Sequence, residues 1–217
     1  MDLFEVETAV IKQCLERYND ESDSDSEGVY EKSVDELGKL VWQDITKASV
    51  ERIVRPFLLE WGHMQRVLCR STYEGWEDRL AQWIQHNREK LQKLRTSSIA
   101  DDYDLDESSA DIKELYESVK KVFKDSGVSA AKTLHLICPS FFLAWDSAIE
   151  KAFRMELEKS VMEFSGEEYF EFMKKMKGLI RRHDAVFSDL TEKYEIQKAK
   201  ALDEFLWTYC NRPLCLF

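Results

Sequence analysis

Ser109-Ala-Asp-Ile-Lys-Glu-Leu-Tyr-Glu-Ser-Val-Lys-Lys-Val-Phe123, running on through Lys124-Asp-Ser-Gly127, is the stretch whose periodicity decides the fold. Ile112, Leu115, Tyr116, Val119, Val122 and Phe123 recur at steps of three and four. That spacing puts them on one side of an α-helix and the charged residues on the other. Ser109 stands where it can cap the helix, and Gly127 where it can end it, because glycine enters the left-handed conformation that a helix terminus often needs. A tight turn then leads into a second helix, which Ser129 can cap and Pro139 stops.

The same period extends in both directions. Leu3, Val6, Val10, Ile11, Cys14, Leu15 and Tyr18 define an amphipathic opening helix, and Val34, Leu37, Leu40 and Val41 a second. Ser49 can cap a third, which Pro56 is expected to break or kink. Trp76, Leu80, Trp83, Ile84, Leu91 and Leu94 mark one long helix. Downstream, Asp146 can cap a helix, another runs from about Ser165 into the 190s, and a last one from about Lys198 to Tyr209. Only 7 Gly and 3 Pro occur among 217 residues, too few for a turn-dense β fold. No segment alternates with period two. The expectation is one all-α domain over 1–217, divisible into subdomains 1–100 and 109–217 joined by the acidic segment 101–108.

The chain is 44% hydrophobic and 34% charged, which excludes the disordered class, and no apolar run approaches the ~20 residues that span a bilayer. The start Met-Asp-Leu-Phe-Glu-Val-Glu lacks the basic and apolar regions of a signal peptide, so a cytoplasmic protein is expected. Cys14, Cys69, Cys138, Cys210 and Cys215 are widely spaced with no CxxC, and the nearest pair, Cys210 and Cys215, has no histidine at ligand spacing; reduced, structural thiols and no metal are expected. The formal charge is −11. Ten of the 42 acids fall in two runs, Asp20 to Glu27 and Asp101 to Glu107, and without them 32 acids face 31 bases. A local basic face is therefore compatible with the total, and the runs read as solvated loops held open by self-repulsion.

Chemistry concentrates between Gly127 and Ile149. Lys132 is expected in the first turn of its helix, where the helix dipole and burial both disfavour the ammonium form, and a partly neutral lysine is a nucleophile toward a carbon such as a sugar C1′. Asp146 follows an apolar loop and can stabilise an oxocarbenium-like charge or move a proton. Arg52, Arg55, His63, Arg66 and Arg70 can share a face across Pro56, and Lys174, Lys175, Lys177, Arg181 and Arg182 cluster in a late helix. Either set can track a phosphate backbone. His135 falls three residues after Lys132, and Trp145 and Trp207 are aromatic surfaces on which an extruded base can stack. The ordinary alternatives for these residues are a solvated helix lysine, a plain helix cap, a solvated basic face, a hydrogen-bonded core histidine and core tryptophans.

Taken together, Lys132-Thr133-Leu134 after a turn, Trp145-Asp146 before a helix, and Leu202-Asp203-Glu204-Phe205-Leu206-Trp207 resemble the helix-hairpin-helix DNA glycosylase superfamily, the archaeal-type 8-oxoguanine DNA glycosylases above all. The resemblance covers the last 110 or so residues. It implies a monomeric, cofactor-independent DNA N-glycosylase, with or without abasic-site lyase activity, that acts on double-stranded DNA carrying a damaged or modified base. Lys132 is the nucleophile on that reading, Asp146 the catalytic carboxylate, and His135, Trp145, Trp207 and Asp203 contact the base. Gly127, Ser129, Arg52, Arg55, Arg66 and Arg70 hold DNA. The chain departs from the family in having one hairpin glycine where two are usual, and in a shorter spacing from lysine to aspartate. The other reading is a non-catalytic helical module that binds protein or DNA.

Overall fold

The computed structural model describes residues 5–22, 24–157 and 165–212; Leu3, Asp23 and Cys215 lie outside them. The chain is all-α, with no strand among the described residues. Helix α1 (Thr8–Glu21) buries Ile11, Cys14 and Leu15 and is followed by α2 (Ser24–Lys39). The first acidic run is therefore not an open loop. Most of it is helical: Asp20 and Glu21 close α1, Asp25 and Glu27 lie in the first turn of α2, and α2 is held down by the buried Tyr30 and Leu37.

A continuous helical stretch runs from α3 (Lys47–Ser49) through Val50–Val54 and Phe57–Trp61. Thr46, not Ser49, caps it, with Ser49 completing the capping box. Pro56 does not break it. Proline has φ −56° and ψ −45° here, and the winding on both sides of it widens to π turns. A wider turn relieves the ring's clash with the preceding carbonyls and absorbs the missing N–H. Gly62 ends the stretch, where a Cβ would lie 2.5 Å from the Leu58 carbonyl oxygen.

Helices α4 (Gln65–Leu68), α5 (Trp76–His86) and α6 (Arg88–Arg95) follow. The expected single helix over the last two is divided at Asn87, whose side chain donates to the Trp83 carbonyl in competition with the backbone ladder. Helix α7 (Ser109–Val122) leads by a tight turn to α8 (Gly127–Ile137), and α9 (Ser147–Glu156) comes after an apolar loop. Helix α10 (Gly166–Arg182) opens on a Ser165 capping box and meets α11 (Asp184–Tyr194) at His183, which divides the expected long helix. Helix α12 (Lys198–Asn211) is the last.

One hydrophobic cluster extends from Val6 to Leu206. Helix α1 lies along α11 and α12, α2 against α8 and the π-wound stretch, and α10 along α7, so helices from both sides of residues 101–108 share that cluster. The acids of the second acidic run are solvent-exposed, as expected of a solvated segment, and two of them also pair with α10. Asp102 pairs with Arg181 at 3.3 Å and Asp106 with Lys174 at 3.1 Å, while the buried Lys177 donates to the carbonyls of Ile99 and Asp101. The basic face of α10 is thus engaged by the chain's own acids. No described helix is long and apolar enough to cross a membrane.

Candidate functional site

The turn between α7 and α8 places the site. Lys124 and Asp125 take φ of 49° and 67°, so the left-handed positions fall there and not at Gly127, which is already the first residue of α8. Ser126 is the cap, accepting from the Ser129 N–H at 3.3 Å and bonded to its hydroxyl at 2.8 Å. Ser129 is fully buried and its N–H is spent within the cap. Gly127 gives its carbonyl to the Trp145 indole. Ser129 therefore has no backbone donor left for a phosphate.

Lys132 lies midway along α8, beyond the reach of the helix dipole's positive end; burial is what lowers its pKa. Its Nζ donates to the Gly62 carbonyl at 2.9 Å and sits 5.4 Å from the centre of the Trp61 ring. The close backbone approach that requires glycine at 62 therefore also sets the lysine's anchor. Lys132 forms the floor of a cleft of about 550 Å³ whose walls include Tyr18, Glu27, Asp146, Asp203 and Trp207. The two aspartates oppose burial and favour the charged lysine, Asp203 more than Asp146.

Asp146 caps α9, Oδ1 accepting from Ala148 at 2.8 Å and Ile149 at 2.9 Å, while Oδ2 accepts from Asn211 at 3.0 Å. Asp203 comes from the inner side of α12 and is buried; loss of hydration, countered by Lys200 and Lys132, pushes its carboxyl up to about 6. Trp207 is half-buried, edge-on to Tyr18, with Arg212 over its ring. Trp145 borders the cleft, but its ring packs among Tyr116, Tyr169 and Phe172.

His135 is not on the cleft wall. It is fully buried, with Nδ1 2.8 Å from the Phe142 carbonyl and Nε2 3.1 Å from the Tyr30 hydroxyl. A carbonyl only accepts, so Nδ1 carries the proton and Nε2 accepts from tyrosine. Burial holds its pKa down at about 4.

The five basic residues near Pro56 are dispersed. Arg52 is 3.9 Å from Glu36 and Arg55 3.2 Å from Glu77. Arg66 and Arg70 are exposed, Arg70 beside Arg55 on a shallow depression away from Lys132, and only His63 reaches the cleft.

Sequence reasoning missed the ionic group behind the cleft. Lys200, 4% exposed, pairs with Glu27 at 2.9 Å and with Glu204 at 3.5 Å, and lies over the rings of Tyr30, Tyr18 and Trp61. Glu27 also accepts from the Tyr18 hydroxyl and, at 3.2 Å, from the Trp61 indole. The Lys200–Glu204 spacing of four was a usable signal, whereas Glu27 was hidden inside an acidic run. Burial pushes Glu204 up to about 7.

The thiols of Cys14 and Cys138 are buried and pushed up to about 11 and 12, which makes them inert as nucleophiles. Among the described residues no group of His, Cys, Asp and Glu is arranged to hold a metal ion. No family model, characterised protein or solved structure matches the chain.

Proposed function

We propose that this cleft cleaves the N-glycosidic bond of a damaged or modified base flipped out of double-stranded DNA, with Lys132 as the nucleophile at C1′. The observation that carries the reading is the position of Lys132, a buried lysine with a lowered pKa at the floor of a cleft that also holds Asp146 and Asp203. Burial shifts Lys132 toward the neutral amine that attack requires, and carboxylates in the same cleft suit the positive charge that develops on a sugar. The cleft volume lies within the range of small-ligand sites, and Trp207 offers an aromatic wall for a planar base.

A second reading, a non-catalytic helical binding module, is favoured by a specific observation. The arginines expected to meet phosphate include Arg52 and Arg55, which face their own acids, and the cleft wall carries Glu21, Glu27, Asp146 and Asp203 against Lys132 and Arg212. The two readings separate on a panel of lesion-bearing duplexes assayed for base release and for borohydride cross-linking. The glycosylase releases a base, and Lys132→Gln abolishes release and cross-link together. Retention of both by Lys132→Gln removes the lysine from the chemistry, and neither release nor cross-link by the wild-type protein leaves the binding module.

A further inference from the structure

We infer that Asp203 is a further catalytic residue of this cleft, whose carboxylic acid protonates the group that leaves C1′ as Lys132 attacks. The inference rests on the glycosidic reading of the site. Asp203 lines the same cleft as Lys132 but is only 7% exposed, and its carboxylate accepts no hydrogen bond among the described residues. A buried carboxylate without a donor is costly as an anion and is relieved by a proton or by a ligand N–H. Asp146 differs, since its two oxygens already accept three N–H groups. The geometry therefore divides the labour: Asp146 stays an acceptor beside the sugar, and Asp203 is the group free to hold and deliver a proton.

The charged surroundings of Asp203 fit that role. Lys200 on its own helix and Lys132 on α8 favour the anion, Glu27 on α2 and Asp146 before α9 oppose it, Glu204 beside it on α12 is a second raised carboxyl in repulsion with it, and the phenols of Tyr18 and Tyr30 also face it. Burial outweighs the two lysines and leaves the acid form accessible near pH 6. The step starts from the Lys132 amine and the Asp203 carboxylic acid, the forms that burial of each favours. The amine's lone pair forms the N–C1′ bond and the electron pair of the glycosidic bond departs with the base. The Asp203 proton passes to that base, which regenerates the carboxylate, and the lysine nitrogen bonded to C1′ carries the positive charge. At an abasic site, where C1′ is an aldehyde carbon, the same acid protonates the carbinolamine hydroxyl, which leaves as water and forms the imine.

The abasic reaction tests the inference without knowledge of the natural base. Cyanoborohydride trapping on a duplex with a single abasic site is followed against pH for the wild type, Asp203→Asn, Asp203→Glu and Lys132→Gln, with thermal melts as the check on folding. The wild-type rate is expected to fall as pH rises above about 6. Asp203→Asn loses that limb and is slower at pH 6 by about 10², Asp203→Glu regains a limb at a shifted pH, and Lys132→Gln forms no cross-link. Trapping by Asp203→Asn at the wild-type rate with the wild-type profile overturns the inference while leaving the lysine chemistry in place. Should the asparagine variant fail to fold, Asp203→Glu decides, and an unmoved limb overturns the proposal. No cross-link from the wild-type protein overturns the glycosidic reading itself and, with it, the role of Asp203.

Discussion

At the scale of single residues, burial and not sequence neighbours sets the chemistry. Lys132, Asp203 and Glu204 are ordinary surface residue types placed where water is excluded, and each has its charged form disfavoured for that reason. Glu204 offers a test through stability. Its folded-state pKa of about 7 lies above the unfolded value of 4.5, so between those limits the native state holds the proton and the unfolded state does not. That contribution is complete below about pH 4.5 and is lost as pH rises through about 7, amounting to at most about 3 kcal/mol. Denaturant unfolding at pH 5 and pH 8 should show a larger loss on going to pH 8 for the wild type than for Glu204→Gln, which cannot ionise. An identical loss in both proteins would place the proton elsewhere. His135 works in the opposite sense. Its pKa is depressed from 6.5 to about 4, so its contribution is present above pH 6.5 and fades as pH falls toward 4.

At the scale of elements, caps and turns deliver the side chains to the cleft. The start of α9 is fixed by Asp146, which on the proposed function is also a catalytic carboxylate, and substitution separates the two jobs. Asp146→Asn keeps an oxygen for the Ala148 and Ile149 N–H groups and should leave the unfolding midpoint close to wild type. Asp146→Ala should cost about 1 kcal/mol. Base release should fall by about 10² or more in both variants, because neither carries the negative charge. Activity that tracks stability alone would reduce Asp146 to a helix cap. The π-wound stretch around Pro56 has a comparable double role. It ends at Gly62, whose carbonyl holds the Lys132 ammonium, so the irregular winding sets the position of the nucleophile.

At the scale of the whole molecule, the charge of −11 is distributed as internal pairings as much as exposed repulsion. Asp106 and Asp102 pair with Lys174 and Arg181 on α10 at the surface, and Arg52 and Arg55 are engaged by Glu36 and Glu77. The cleft wall itself carries only Lys132 and Arg212 as lysine or arginine among the described residues. Binding to undamaged duplex should therefore be weak, with a log–log salt slope no steeper than about −4, the value for four contacts. Asp102→Asn with Asp106→Asn should tighten that binding at low salt and steepen the slope by freeing Lys174 and Arg181. Unchanged affinity would put α10 outside any DNA-facing surface.

The apolar period of three and four, the scarcity of glycine and proline, and caps such as Asp146 and Ser165 determined by themselves that the chain is helical and where most helices lie, because those signals are local. Lys132, Asp146 and Trp207 could be selected from the sequence by residue type and position, Asp203 only through the family resemblance. That they share one cleft was decided only by the tertiary packing of α8, α9 and α12. Folding also put His135 inside the core, drew Glu27 of the first acidic run onto the buried Lys200, and set two exposed acids of the second run against α10. The physical reason is that burial and charge pairing depend on residues far apart in the chain, as with Glu27 and Lys200, and no local pattern encodes which distant helix will cover a given side chain.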